Sequence, residues 1–260
     1  MWADELSDLL ARLRDQRPVV HHLTNSVTME LQANVTLALG GIPLMAVAPE
    51  EMPEVVSLSS ALVVNLGTPT AERLATIRRA VGLAREGEVP WVMDPVGAGL
   101  SRFRSRASQD LLAVAAPDVL KGNLAEMEHL AGLSRGDGSL EHRQRVVRRL
   151  SREHGLAAAV TGPRDVAYGD GRGVTVRGGT HLLDYHTGMG CAAASIMGCL
   201  LAAGAGSLRS AWWGLALMAA ASTLAESRGP GSLVSNLLDA LYHIDGRDVQ
   251  GQVEVESWQS

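Results

Sequence analysis

A mostly parallel α/β sheet with helices on both faces is the fold class this sequence predicts, on three observations. Short β-branched or apolar runs alternate with longer helical patterns through most of the chain. Several of the short runs are apolar at every position, which suits strands covered on both sides rather than on one. The chain has 260 residues, 46% of them apolar, enough to bury a sizeable core within a single domain spanning residues 1–260.

Taken in order, strands are expected at 19–23, 42–47, 61–66, 91–94, 119–121 and 157–161. Between them, 27–39, 70–85, 107–115, 124–131 and 141–153 carry apolar residues at helical spacing. Strand, helix and strand in repetition imply right-handed crossovers. After Thr161 the pattern changes, because 165–168 and 173–176 flank Gly169-Asp170-Gly171, a hairpin signal at the sheet edge. Three helices then close the chain, beginning near Cys191, Ser210 and Ser232.

Composition narrows the partners. Lys and Arg number 23 against 28 Asp and Glu, a formal net charge of −5 without any basic block. Nucleic acid and anionic membrane surfaces are bound through clustered positive charge, so neither is expected as a partner, and a small molecule is. Between Asp184 and Glu226 the only charge is Arg209, but that stretch is rich in Ala, Gly and Ser. It reads as two buried helices rather than a membrane span. The first 18 residues hold five charges before position 15 and no apolar block, unlike a signal peptide. Cys191 and Cys199 fall in one helical run, where they cannot bridge, so a reducing, cytoplasmic setting is expected.

Ligands of open α/β sheets bind beyond the carboxyl ends of the strands, and the informative residues of this chain follow its strands. Thr187-Gly188-Met189-Gly190-Cys191 leads directly into a helical run. Glycines before a helix leave backbone N–H groups free to converge on an anion, aided by the positive end of the helix dipole. The same donors are expected to lower the thiol pKa of Cys191 and favour a thiolate base. A tight turn followed by a small buried cysteine fits the same letters. Asp94-Pro95-Val96-Gly97-Ala98-Gly99 suits Mg²⁺ held partly by substrate phosphates, or a turn that Asp94 caps. In Lys121-Gly122-Asn123-Leu124-Ala125-Glu126, Lys121 can neutralise a phosphate, while Glu126 can hold metal or simply match a helix N-terminus. Thr161-Gly162, at the end of the sixth strand, is a weaker fourth element that a simple turn would also explain.

No GxxxxGK[ST], third-glycine dinucleotide fingerprint or GxSxG elbow occurs. His21-His22, His181 and His186 lack partners at zinc-ligand spacing.

Taken together in order, these segments resemble the hydroxyethylthiazole kinases of thiamine salvage, a branch of the ribokinase-like superfamily. The likeness runs through Val20-His21-His22-Leu23-Thr24-Asn25, Pro43-Leu44-Met45-Ala46 and Val64-Asn65-Leu66-Gly67-Thr68. It continues through Asp94 to Gly99 with Arg102-Phe103-Arg104, Gly122-Asn123 with Glu126, Val160-Thr161-Gly162, Gly188 to Cys191, and Gly229-Pro230-Gly231-Ser232. The cysteine carries weight, since most ribokinase-like enzymes have aspartate there. The resemblance implies a ribokinase-like fold, ATP as co-substrate, Mg²⁺, phosphorylation of the thiazole's primary alcohol, and a homotrimer with pockets between subunits. By motif position it implies Asn25, Met45 and Gly188 at the thiazole, and Lys121 and Thr161 at the ATP phosphates. Asp94 and Glu126 would stand at the metal, with Cys191 as base among the amides of Gly188, Met189 and Gly190. Met189 stands where the family usually has a small or hydroxyl residue, and Lys121 where it usually has Arg. A related small-alcohol kinase, such as one for hydroxymethylpyrimidine, or a non-catalytic thiazole- or nucleotide-binding protein are the alternatives.

Overall fold

The computed structural model describes residues 1–259. Nine strands form one sheet in the order β2-β1-β3-β4-β5-β6-β7-β8-β9. The strands β1 (Val19–Leu23), β2 (Ile42–Leu44), β3 (Ala61–Asn65), β4 (Trp91–Asp94), β5 (Val119–Asn123) and β6 (Ala157–Thr161) run parallel. Antiparallel β7 (Asp165–Gly169), β8 (Arg172–Arg177) and β9 (Glu254–Gln259) complete one edge. The Asp170-Gly171 turn between β7 and β8 has positive φ at both residues, 50° and 75°, as two-residue hairpins require.

Successive residues of each central strand enter opposite cores. On β3, Ala61 and Val63 face one helical layer while Leu62 and Val64 face the other. The first layer holds α1 (Trp2–Gln16), α2 (Met29–Leu39), α8 (Met189–Ala202), α9 (Ser207–Leu224), α10 (Pro230–His243) and α11 (Gly246–Gln252). The second holds α3 (Met52–Leu58), α4 (Ala71–Glu86), α5 (Arg102–Val114), α6 (Leu124–Leu130) and α7 (Leu140–His154). The doubly apolar strands are thus explained, because each fully buried Val or Leu removes enough apolar surface to contribute about 1.5–3 kcal/mol.

The Ala- and Gly-rich stretch folds as α8 and α9, both buried, and among the described residues no helix is long and apolar enough to cross a membrane. Its small residues allow close packing. A Cβ at Gly198 would lie 2.4 Å from Val63 Cγ2 on the sheet, and one at Gly214 would lie 2.5 Å from Met197 Cγ on α8.

Several boundaries differ from expectation for local reasons. The strand expected at 42–47 ends at Leu44, and His21 Nε2 meets the carbonyl of Ala46 at 2.9 Å as the chain leaves the sheet. α2 begins at Met29 rather than at 27, because Asn25 Oδ1 accepts from the amides of Val27 and Thr28, both at 3.0 Å. α5 begins at Arg102 rather than 107, where Ser101 Oγ accepts from the Arg104 amide at 3.3 Å. α1, α3, α11 and β9 are additions to the expected set.

Candidate active site

Five parallel strands end on one side of the sheet, and each delivers a polar residue to a single cavity or its wall. β4 ends in Asp94, beside Asn65 in register at the end of β3. β5 supplies Lys121, β6 ends in Thr161, and Asn25 follows β1. The N-terminus of α8 closes the space from the other layer. The cavity measures about 400 Å³, and Asn25, Asp94, Lys121, Glu126, Thr161 and Cys191 are among the residues that line it.

Local rules place each group. Asn123 Oδ1 caps α6 by accepting from the Glu126 amide at 3.0 Å, and Glu126 Oε2 accepts from the Asn123 amide at 2.8 Å. The other Glu126 oxygen accepts from the Gly97 amide at 2.8 Å, tying the β4–α5 turn to α6. Gly188 caps α8 at φ +89°, and any Cβ there would meet Thr28 Cγ2 at 2.5 Å, so glycine is required twice over. No side chain caps this helix, and its first amides have no carbonyl one turn behind them. Lys121 Nζ stands beside those amides, 3.1 Å from where a Cβ of Gly190 would be. Met189 turns into the core among the other helix residues, so its side chain does not crowd the cavity.

A buried amide links the parts. Asn65 Nδ2 donates to Asp94 Oδ2 at 2.7 Å and lies 3.2 Å from Cys191 Sγ. Asn25 Nδ2 donates to Asn65 Oδ1 at 2.8 Å and to Thr28 Oγ1 at 2.9 Å. Asp94 Oδ1 faces Lys121 Nζ at 3.4 Å, both side chains being almost fully buried.

These neighbours set the charges. Burial alone would pull the Lys121 ammonium down, but the negative charges around it, Asp94 foremost, outweigh burial and leave its pKa raised. Burial and the charge of Asp94 push the Glu126 carboxyl up, against the two amides that favour its ionised form. The Cys191 thiol is likewise pushed above its ordinary value by burial and by Asp94. That corrects the expected lowering by the helix N-terminus. In this site desolvation and the nearby carboxylate prevail over Lys121 and the donors of Thr28 and Asn65.

Of the residues singled out in the sequence, Asn25, Asp94, Lys121, Glu126, Thr161, Gly188, Gly190 and Cys191 line this one cavity, whereas Met189 does not and is buried in the core. Met45 is half-buried in the segment after β2 and does not line it. Sequence reasoning gave no task to Asn65, Thr28 or Arg104. For Asn65 the signal was available, since it is a polar residue ending an otherwise apolar strand, as Asp94 is.

The sequence pattern of the hydroxyethylthiazole kinase family matches residues 10–247 of this chain. Hydroxyethylthiazole kinase of Nitratidesulfovibrio vulgaris strain DP4 is 39% identical over 254 residues, 95% of each chain. The solved hydroxyethylthiazole kinase of Pyrococcus horikoshii OT3 superposes with a TM-score of 0.93 at 35% identity, covering 98% of this chain and 100% of that one. Pyridoxal kinase of Staphylococcus aureus, solved with AMP-PCP and pyridoxal, is similar in fold alone, with a TM-score of 0.69 at 17% identity over 93% of this chain and 98% of that one.

Proposed function

Because the chain belongs to the hydroxyethylthiazole kinase family, we propose that the cavity at the N-terminus of α8 is where it phosphorylates the primary alcohol of hydroxyethylthiazole with ATP. The activity is that of the family, a phosphotransfer in thiamine salvage on a ribokinase-like α/β fold. One observation carries the placement: Asp94 from β4 and Lys121 from β5 converge on Cys191 and the uncapped amides at the N-terminus of α8, around a cavity of about 400 Å³.

Lys121 and the amides of Gly188 to Cys191 surround the path of a moving phosphoryl group and meet its charge without rearranging. Thr161 and Lys121, on the β5 and β6 side, are placed to hold the nucleotide phosphates. Asn25 and Gly188, on the β1 side, are placed to hold the acceptor. Cys191 accepts the alcohol proton late, at Sγ. With its pKa raised, only a small fraction is thiolate at neutral pH, but that fraction is strongly basic.

Asp94 and Glu126 fit a magnesium ion. They line one cavity, and the charge of Asp94 raises the pKa of Glu126. Two carboxylates completed by substrate phosphates are the usual magnesium donor set. When bound, the ion would neutralise phosphate charge.

Met45 belongs to a neighbouring subunit's pocket in this reading. It lies outside its own cavity, and Ile42 and Val47 on either side of it are 40% and 53% exposed, as an edge awaiting a partner would be. The assembly is a homotrimer of single-domain chains spanning 1–260. Two unpaired buried thiols, Cys191 and Cys199, favour the cytoplasm.

A coupled ADP-release assay with hydroxyethylthiazole tests the reading. Turnover is expected for the native chain, with retained or higher turnover for Cys191→Asp. A native chain that binds thiazole and ATP without releasing ADP would sink it. So would a Cys191→Ala variant as active as the native chain, for the role of the thiol.

A further inference from the structure

Arg104 is a cation of the cavity for which the transfer described above has no use. It is the third residue of α5, half-buried, and part of the cavity lining. Its Nη1 donates to the carbonyls of Leu66 and Val96, at 3.1 and 2.9 Å. Those carbonyls belong to the turns after β3 and β4, so the guanidinium bridges these turns on the side of Asp94 away from Lys121, which stands on β5. Gly97, at φ +77°, makes room for it, since a Cβ there would lie 3.0 Å from Arg104 Cδ and 3.1 Å from Nη1.

Two bonds occupy the Nη1 hydrogens and leave those of Nε and Nη2. Among the described residues no carboxylate pairs with Arg104, although Asp94 and Glu126 line the same space. Arg73 makes the contrast. It clamps the same β3 turn with both terminal nitrogens, Nη1 to the carbonyl of Gly67 and Nη2 to that of Asn65, and is not part of the lining. One arginine is used up as a staple, whereas the other is anchored by one nitrogen and keeps a planar pair of donors free beside the cavity. That pair matches two oxygens of a phosphate, which a guanidinium binds in a fork.

We infer that Arg104 recognises the phosphoryl group on the acceptor side of the transfer, meeting through Nε and Nη2 the oxygens of the phosphate ester the reaction leaves there. The inference rests on the cavity being the phosphoryl-transfer site. It makes Arg104 a specificity residue for the phosphorylated product over the alcohol, separate from Lys121 and Thr161 on the nucleotide side.

Calorimetric binding of hydroxyethylthiazole, its phosphate ester, ADP and inorganic phosphate to the native chain, Arg104→Met, Arg104→Lys and Arg73→Met tests it. Arg104→Met should bind the ester about tenfold or more weakly, with less than a twofold change for the alcohol and for ADP. Arg104→Lys should fall between, keeping charge without the fork. Arg73→Met should weaken alcohol and ester alike. Equal losses of alcohol and ester in Arg104→Met, an unchanged ester affinity, or an ADP loss matching the ester loss would overturn the assignment. If Arg104→Met does not fold, the ester-to-alcohol ratio in Arg104→Lys decides in the same way. A native chain that binds neither thiazole ligand contradicts the thiazole reading. The inorganic phosphate series then decides for Arg104, supporting the inference if Arg104→Met weakens phosphate binding and opposing it if it does not.

Discussion

Asp94–Lys121 and Glu128–His142 are both buried acid–base pairs, yet only the first lines the candidate active-site cavity. Lys121 Nζ lies 3.4 Å from Asp94 Oδ1, a loose contact that leaves ammonium hydrogens directed elsewhere. His142 Nε2 lies 2.6 Å from Glu128 Oε1, and further neighbours engage both partners. The Gly136 amide donates to the same oxygen at 2.8 Å, and Arg145 Nη2 meets His142 Nδ1 at 2.5 Å. Arg145 donating to Nδ1 puts the imidazole proton on Nε2, toward Glu128. A Cβ at Gly136 would come within 2.3 Å of His142 Nε2, so the loop between α6 and α7 is sealed on the pair. A buried acid–base pair therefore does not by itself mark a site. Unsatisfied donors facing open space do, and only the first pair has them.

The largest effect expected from this contrast is on turnover. Lys121→Met should lower kcat by about 10³ or more, because a cation meeting the transferred phosphoryl group is lost. Glu128→Gln should leave kcat within about twofold in steady-state assays at a temperature where both variants are folded. Comparable losses in the two would erase the distinction drawn here.

The thiol comes next. Cys191→Ala should lower turnover by roughly 10²–10⁴, the usual range for a positioned base. A base must be unprotonated to act, and burial and Asp94 raise the Cys191 pKa, so native turnover should still be climbing as pH passes the ordinary thiol range. In Cys191→Asp the rise should move to lower pH. A flat native pH–rate profile would remove the thiol from the proton's path.

Stability should show the reverse ranking. His142→Leu removes a buried donor to Glu128 and should cost about 1.5–3 kcal/mol in urea unfolding, with little change in kcat for the protein that remains folded.

The smallest effect at neutral pH concerns His22, a buried residue of β1 whose pKa burial lowers to about 4. Its ring lies 3.2 Å from Ser195 Oγ and 3.3 Å from Thr36 Oγ1, and carries no charge in the folded state. The unfolded chain binds a proton there below about pH 6.5, whereas the folded one does so only near 4, so stability falls as pH drops through that window. The loss should reach up to about 3 kcal/mol at the acid end. His22→Gln should show a shallower decline between those pH values, and a slope equal to the native one would exclude His22 as its source.

Much of the site was legible because the chain writes its chemistry where apolar strands stop. Asp94, Lys121 and Thr161 each interrupt or end such a run, and Cys191 follows glycines that open a helix. Asn65 obeys the same rule but is an amide, and attention to ionisable groups passed over it. The direction of the Cys191 pKa was not legible, since it depends on a carboxylate brought alongside by folding. Met45 acquires a role only through resemblance. In the fold, the doubly apolar strands announced the sheet, whereas β9 did not announce itself. Its Val255 and Trp258 stand three apart among polar residues and enter opposite cores, a spacing without strand alternation, and its backbone pairs with β8 alone. α1 carries Leu6, Leu9, Leu10 and Leu13 at helical spacing, a signal that was present but overshadowed by its charges.

Gly198 ties this map to mechanics. Where it crosses Val63 the helix rests directly on the sheet, with no side chain between as a shim, and the same helix carries Cys191 at its other end. The spacing between reacting partners is therefore gauged by a contact buried well away from the substrate. A single added methyl at Gly198 would act as a lever on the catalytic end, detuning alignment without touching any group that performs the chemistry.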